Sequence, residues 1–340
     1  VKRYAIRIKP LSDFATRLAG DTLFGHFCWQ VAYDAALVAG GLEAALARYD
    51  ERPFAVFSSG FPEIPSTATG GRAYALPRPA LPMSWLCPVE EDRRQRIEHR
   101  KEHKRRSWVL LSEDLRLDLA GARYCTGDEV AVMVAGQTVV PHALQPTLEK
   151  TVERPHNTIN RATNTTGTGM FAPYSVPSLS YLPGMRLVVF AILDADATDI
   201  DRIVLGLSRI GSFGFGRDAS TGMGRFVVEG ARELSTPASE AINALYTLGP
   251  CVPKKSDCGG DYFFTPFVRY GRHGDTLATS PVPYKAPVVM AGPGAVFTLL
   301  PGQPVPAYVG RAVRGVSRMQ PEAVHQGYAP CLPTRLEVPA

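Results

Sequence analysis

Between Gly211 and Gly224, five of fourteen residues are glycine, where the average of 31 in 340 supplies about one. The stretch reads Ile210-Gly211-Ser212-Phe213-Gly214-Phe215-Gly216-Arg217-Asp218-Ala219-Ser220-Thr221-Gly222-Met223-Gly224-Arg225-Phe226. Glycines at this density let a backbone take positive φ and let another chain approach closely. Arg217 and Arg225 flank the centre, while Asp218, Ser220 and Thr221 can bond locally or cap a turn. Exposed N–H groups and guanidinium forks both pair with phosphate oxygens, so the loop suits a phosphate-bearing partner.

Two nucleotide motifs fail here. A Walker A loop needs Gly-Lys-Ser/Thr, and the stretch holds no lysine. The dinucleotide fingerprint opens a helix after a strand, whereas the apolar run Phe226-Val227-Val228 places the strand after the loop. The order is helix, loop, strand.

A chain of 340 residues is long enough for two domains. Its 45% apolar and 20% charged residues match a soluble globular protein, and no run of about eighteen apolar residues predicts a membrane span. The first eight residues lack the apolar core of a signal peptide, so a cytoplasmic location is the expectation. Six scattered cysteines (28, 87, 125, 251, 258, 331) form no Cys-x-x-Cys pair and read as reduced thiols, with neither metal nor cofactor expected. The net charge of +5 permits an acidic partner without demanding one.

In chain order, residues 1 to 9 alternate as a strand with Tyr4, Ile6 and Ile8 on one face. Asp21 or Thr22 can cap a helix carrying Phe24, Phe27, Cys28, Val31, Ala35 and Val38, ended by Gly40-Gly41; Leu42 to Tyr49 predicts a second helix. Residues 52 to 88 are proline-rich and read as irregular chain with strand fragments such as Phe54 to Phe57. The basic run Arg93 to Arg106 is either a solvated helix or a surface lying near RNA or an acidic partner. Within it His99 and His103 stand at i, i+4 without a third ligand. Trp108 to Leu111 reads as a strand, and Val130 to Val134 with Gln137 to Val140 as a hairpin.

The polar tract from Arg154 to Met170 predicts a long surface loop or a protruding hairpin, with Phe171 and Tyr174 able to pack or stack beyond it. Leu187 to Leu193 is a buried-type strand, and Thr198-Asp199 can cap a helix with the stripe Ile200, Ile203, Val204, Leu207, Ile210. Strand, helix, strands, helix, loop, strand over residues 1 to 229 match a ferredoxin-like βαββαβ domain with long insertions. Beyond a connector with a short helix at Ser239 to Tyr246, the strands Tyr262–Tyr270, Val296–Leu300, Ala307–Val309 and Ala329–Leu336 predict a smaller β-rich domain.

His26 lies off the apolar stripe of the first helix. It has three open readings: assistance to RNA cleavage, a polar contact to RNA or a partner, or an ordinary surface histidine. Asp13, Asp21 and Asp218 are candidate carboxylates near a scissile phosphate, but no spacing pairs them.

Three motifs, Leu18 to Phe27, His156 to Arg161 and Gly216 to Phe226, occur in the same order in a known family. The chain resembles the type III-A CRISPR (Csm) subunit that caps the crRNA 5′ end, of the RAMP superfamily. Tyr284-Lys285-Ala286-Pro287 and Gly327-Tyr328-Ala329-Pro330 extend the likeness across nearly the whole chain. The resemblance implies an α+β fold of two ferredoxin-like (RRM-like) domains, residues 1–232 and 233–340, with a protruding β-hairpin thumb near 154–174. It implies a non-catalytic subunit recognising the 5′ tag of crRNA in antiviral defence. Its protein partners would be a polymerase/cyclase-like large subunit and a backbone RAMP subunit, with no membrane and no metal.

By position, the resemblance implies RNA contacts from His26, Asn157, Thr158, Asn160, Arg161, Gly214, Gly216, Arg217, Asp218, Ala219, Ser220, Gly222, Gly224 and Arg225. Met223 departs from the basic residues common in related loops. The alternative is a RAMP endoribonuclease that processes precursor CRISPR RNA with His26 as acid or base.

Overall fold

The alternating segment at the start of the chain is the second strand of a seven-stranded sheet. The computed structural model describes residues 1–65, 71–86, 93–119, 121–136, 146–235 and 242–337, with backbone alone over 93–98. Along the chain run β1 (Lys2–Pro10), α1 (Gly20–Tyr33), α2 (Gly41–Ala47), β2 (Ala55–Pro65), β3 (Arg72–Pro77), α3 (Met83–Leu86) and α4 (Arg93–Arg105). Then come β4 (Trp108–Ser112), β5 (Leu117–Asp118), β6 (Tyr124–Cys125), α5 (Gly127–Ala135), β7 (Glu149–His156), β8 (Tyr174–Tyr181), β9 (Arg186–Leu193), α6 (Ile200–Phe213) and β10 (Phe226–Leu234). The C-terminal part holds β11 (Ala244–Thr247), β12 (Tyr262–Phe263), β13 (Pro266–Arg269), β14 (Val288–Ala291), β15 (Val296–Thr298), β16 (Tyr308–Gly310) and β17 (Tyr328–Arg335).

The large sheet is ordered β10-β1-β9-β2-β3-β4-β6, every neighbouring pair antiparallel. Its first four strands, with α1 and α6, form a βαββαβ unit whose strands lie fourth, first, third, second. One face is covered by helices. Leu23, Phe24, Phe27 and Val31 of α1 and Ile203, Leu207 and Ile210 of α6 pack on Ile6, Ile8, Val189 and Ala191. The two helices close on each other because position 206 is glycine: a methyl group there would lie 2.4 Å from the Phe27 ring. The Asp199 side chain accepts the Arg202 N–H at 2.9 Å and starts α6, as the capping signal predicts.

The other face is covered by the C-terminal half. Ala5, Phe61, Tyr74, Val188 and Phe190 share a core with Ala244, Tyr246, Val296 and Leu332. Those last residues lie on a second sheet ordered β12-β15-β11-β17-β16, which β5 joins in parallel beside β17. Burial of a full aromatic or aliphatic side chain contributes about 1.5–3 kcal/mol, so this shared core binds the halves firmly.

Several expectations are corrected. Helix α1 ends at Tyr33, short of Gly40, because the Asp34 carboxylate accepts the Ala36 N–H at 3.2 Å and starts a separate 3₁₀ turn. The proline-rich segment contains the eleven-residue strand β2, with a register shift between Phe57 and Gly60. Val130 to Val134 is helical: Thr126 and Glu129 cap each other reciprocally, and Gly136 closes α5 at φ 68°. Gln137 to Val140 lie outside the described residues. Of the helix expected at Ser239 to Tyr246, Ala244 onward is strand β11, paired with Phe297 and Pro333 through Leu245, and 239–241 are not described. The second ferredoxin-like unit would need helices, yet residues 242–337 form strands and 3₁₀ turns with no α-helix among them.

Five of the six cysteines are described and all five are free, while Cys87 lies outside the described residues. No helix among the described residues is long and apolar enough to cross a membrane.

Candidate functional site

The glycine-rich loop is built around an aromatic plug. Phe215 is fully buried, and its ring sits 6.2 Å from Phe14 and 4.9 Å from His26, with Phe14 also edge-on to Tyr181 at 5.3 Å. These four rings come from the β1–α1 segment, α1, β8 and the loop. The β1–α1 segment, the loop and the hairpin β7–β8 therefore form one connected surface. Phe14 and Leu179 exchange backbone hydrogen bonds at 2.8 Å in both directions, fastening the base of the hairpin to the segment before α1.

Most of the loop's backbone donors are already engaged inside the protein. The Gly216 N–H donates to His26 Nε2 at 3.0 Å, Arg217 N–H to Thr16 Oγ1 at 3.0 Å, and Arg225 N–H to Ser12 Oγ at 2.9 Å. Gly224 N–H donates to the Asp13 carbonyl at 2.8 Å. Among the described residues of the loop beyond α6, only the amides of Asp218, Ala219 and Ser220 in the central turn are left without a partner.

The glycines follow the same division. A methyl group at Gly216 (φ 78°) would lie 2.5 Å from Thr16, and one at Gly224 (φ 69°) 2.1 Å from the Phe215 carbonyl oxygen. Gly214 is similarly pressed against the Met223 carbonyl, whereas Gly222 faces open space. Gly214, Gly216 and Gly224 thus admit this chain's own backbone and side chains. Met223 of the same loop is buried.

The guanidinium groups divide too. Arg217 donates to the Pro177 carbonyl at 2.8 Å and lies 3.3 Å from Asp218, so it ties loop to hairpin. Arg225 and Arg161 are exposed and carry no side-chain ion pair or hydrogen bond among the described residues. Arg154 reaches from β7 to Asp13 at 2.6 Å, and Arg17 is ion-paired to Glu149. Beyond Arg154 the hairpin carries Asn157, Thr158 and Arg161, all exposed. At about 3.4 Å per residue, Asn157 lies ~10 Å beyond Arg154. Asn160 is spent on its own turn: its side-chain oxygen accepts the Ala162 N–H at 2.9 Å, and its carbonyl accepts the Asn164 N–H at 2.7 Å.

His26 is half-buried, and burial lowers its pKa to about 4. It is therefore neutral near pH 7, with Nε2 unprotonated to accept from Gly216. The three candidate carboxylates do not converge. Asp13 holds Arg154, Asp218 sits at φ 60° beside Arg217, and Asp21 is buried against Arg269 at 2.7 Å with His325 3.6 Å away. His99 and His103 stand edge to face with centroids 6.2 Å apart. Ser12, Phe14, Thr16 and Pro177 complete the site without any motif to mark them. The first three lie just upstream of the Leu18–Phe27 motif, and only their position there signals a role.

No family model matches the sequence, and no curated protein matches it. Solved structures match the whole chain. Csm4 in the crystal structure of the Csm3-Csm4 subcomplex of the type III-A CRISPR-Cas interference complex aligns at TM-score 0.55 and 13% identity, over 98% of this chain and 100% of that one. Csm4 in the Csm1-Csm4 cassette with cA4 aligns at TM-score 0.53 and 15% identity, over 100% of both chains. The chain has the Csm4 fold.

On this Csm4 fold, the sequence-predicted residues gather in part. His26, Gly216, Arg217, Asp218 and Arg225 adjoin the hairpin base, while Asn157, Thr158 and Arg161 lie farther along the hairpin. The surface offers the guanidinium groups of Arg161 and Arg225, the amides of Asp218 to Ser220 and the polar hairpin. That set consists of cationic and neutral hydrogen-bond donors of the kind that pair with phosphate oxygens.

Proposed function

We propose that this chain is the Csm4-type subunit of a type III-A CRISPR effector, binding the 5′ tag of crRNA in antiviral defence and performing no catalysis itself. In this reading the βαββαβ unit within residues 1–232 is a ferredoxin-like RAMP domain, residues 233–340 are a smaller β-rich RAMP-like domain, and β7–β8 is the thumb. The observation that carries it is that, on a Csm4 fold, the exposed Arg225 and the open amides of Asp218 to Ser220 belong to a loop packed on the base of a hairpin that carries the exposed Arg161. A flexible single strand is held by phosphate contacts and by hydrogen bonds to splayed bases. This surface supplies donors for both.

Solved structures with this fold include a Csm1-Csm4 cassette and a Csm3-Csm4 subcomplex. In the same reading, the corresponding partners of this chain are a polymerase/cyclase-like large subunit and a backbone RAMP subunit. The exposed apolar side chains of the C-terminal half, Tyr270, Tyr284 and Val289 among them, support protein contacts there.

The test is binding of tagged crRNA across a salt series. Arg225→Ala and Arg161→Ala should each weaken binding and shallow the log–log salt slope by about 0.7 for each phosphate no longer neutralised. Unchanged affinity and slope in both variants would overturn the reading.

A further inference from the structure

We propose that the stacked rings of His156 and Tyr174 form a platform that takes one unpaired nucleobase. The inference rests on the RNA-binding reading above and assigns a base to a place within it. The two rings are nearly parallel, 13° apart, with centroids at 5.3 Å. They are the last cross-strand pair of β7–β8, directly opposite each other in the register.

Tyr174 is 51% exposed although it is large and apolar in its ring, and its hydroxyl has no partner among the described residues. Neither ring closes a core. A half-exposed ring already stacked against a second ring presents a flat, pre-ordered surface, and little rotamer entropy remains to be lost when a base joins the stack.

Position supports the same occupant. Side chains two apart on a strand share a face, so His156 lies on the face of Arg154, whose guanidinium reaches Asp13 beside the glycine loop. On the strand's far side the next residues are Asn157 and Thr158, exposed donors and acceptors of the size that reads a base edge. Arg161 follows His156 by five residues in the chain and is exposed, as is Arg225 in the glycine loop.

An RRM sheet stacks bases on aromatic residues of its open face. Here that face is sealed, since Phe61, Tyr74 and Phe190 are buried against Tyr246, Val296 and Leu332. A base stacked by this chain has to find its ring elsewhere; Phe213 at the end of α6 is a lone exposed ring, whereas the hairpin pair is already stacked and ordered.

The experiment measures binding of crRNA carrying the repeat-derived 5′ tag, intact and with a single abasic nucleotide moved along the tag and the first guide positions. Tyr174→Ala should weaken binding of the intact RNA between about five-fold and a hundred-fold, the range for one stacked base, and Tyr174→Phe should restore it. One abasic position should weaken wild-type binding by a similar factor and cause no further loss in Tyr174→Ala. Tyr33→Ala, at an exposed tyrosine at the end of α1, should leave affinity unchanged. If Tyr174→Ala melts earlier than wild type, Tyr174→Leu carries the same comparison. Wild-type affinity insensitive to every abasic position, or a Tyr174→Ala loss that is additive with all of them, overturns the platform. If Arg225→Ala still weakens binding in that case, the RNA-binding reading survives without it; if wild type fails to bind tagged crRNA, that reading falls first.

Discussion

At the scale of single residues, two arginines eight positions apart in one loop have come to different duties. Arg217 is held by the Pro177 carbonyl and Asp218, whereas the Arg225 side chain has no partner among the described residues. The sequence offers both as phosphate ligands, and no local pattern separates them, because the partner of Arg217 lies forty residues upstream. His26 shows the same limit. Its place off the apolar stripe of α1 is legible, but its bond to Gly216 is not.

That bond has a pH consequence. Protonating Nε2 would set one donor against another, and burial already depresses the His26 pKa from 6.5 to about 4. The buried His325 is lowered to about 4 as well, by desolvation against the opposing pull of Asp21. The unfolded chain takes up these protons near pH 6.5 while the folded chain refuses them until about pH 4. Stability is therefore full above pH 6.5 and declines as the pH falls toward 4, by up to ~3 kcal/mol for each histidine. Urea midpoints measured from pH 7 to pH 4 should fall accordingly, and His26→Gln should flatten part of the decline. Parallel curves for the two proteins would remove His26 from this account.

At the scale of elements, what can be read is what is written locally. The cap Asp199 and the stripe of α6 lie within about fifteen residues of each other, the length of a short helix, and the helix forms as they indicate. Replacing Asp199 with Ala should lower stability by about 1 kcal/mol, visible as an earlier thermal midpoint with the same circular dichroism spectrum. Element β2 is obscured by its prolines. It is a strand because residues 55–57 and 60–63, Pro62 included, pair with β9 on either side of the register shift, and Pro65 stands at its last position. Helix α5 is obscured by a run of consecutive apolar residues, which carries no period; the Thr126–Glu129 capping box is the legible sign. A hairpin and a surface loop are both open options for the polar tract: Arg154, Pro155 and His156 pair across to β8, and the residues beyond them are turn and loop.

At the scale of the whole molecule, the joint between the halves is made by groups far apart in sequence. Gln326, fully buried, donates to the Phe57 carbonyl at 3.0 Å and accepts the Phe57 N–H at 3.1 Å, standing in for a strand partner where β2 shifts register. Nothing near Gln326 in the sequence marks it for that role. Gln326→Leu removes the side-chain partner of the Phe57 N–H and carbonyl and a donor to the Tyr328 carbonyl, and each buried group left unpaired should cost about 1–3 kcal/mol. Chemical denaturation should show a loss of several kcal/mol, with tagged-RNA affinity at low temperature preserved; a near-neutral variant would mean the two groups find other partners. The buried pair Asp21–Arg269 joins the same two halves at the start of α1.

Among the described residues, both faces of the large sheet are packed against other elements. Helices occupy one side and the β-rich half the other, so a ligand meets edges and loops, never a plate. If this chain binds RNA as proposed, a strand lying along such a rim leaves its opposite flank open to a second protein.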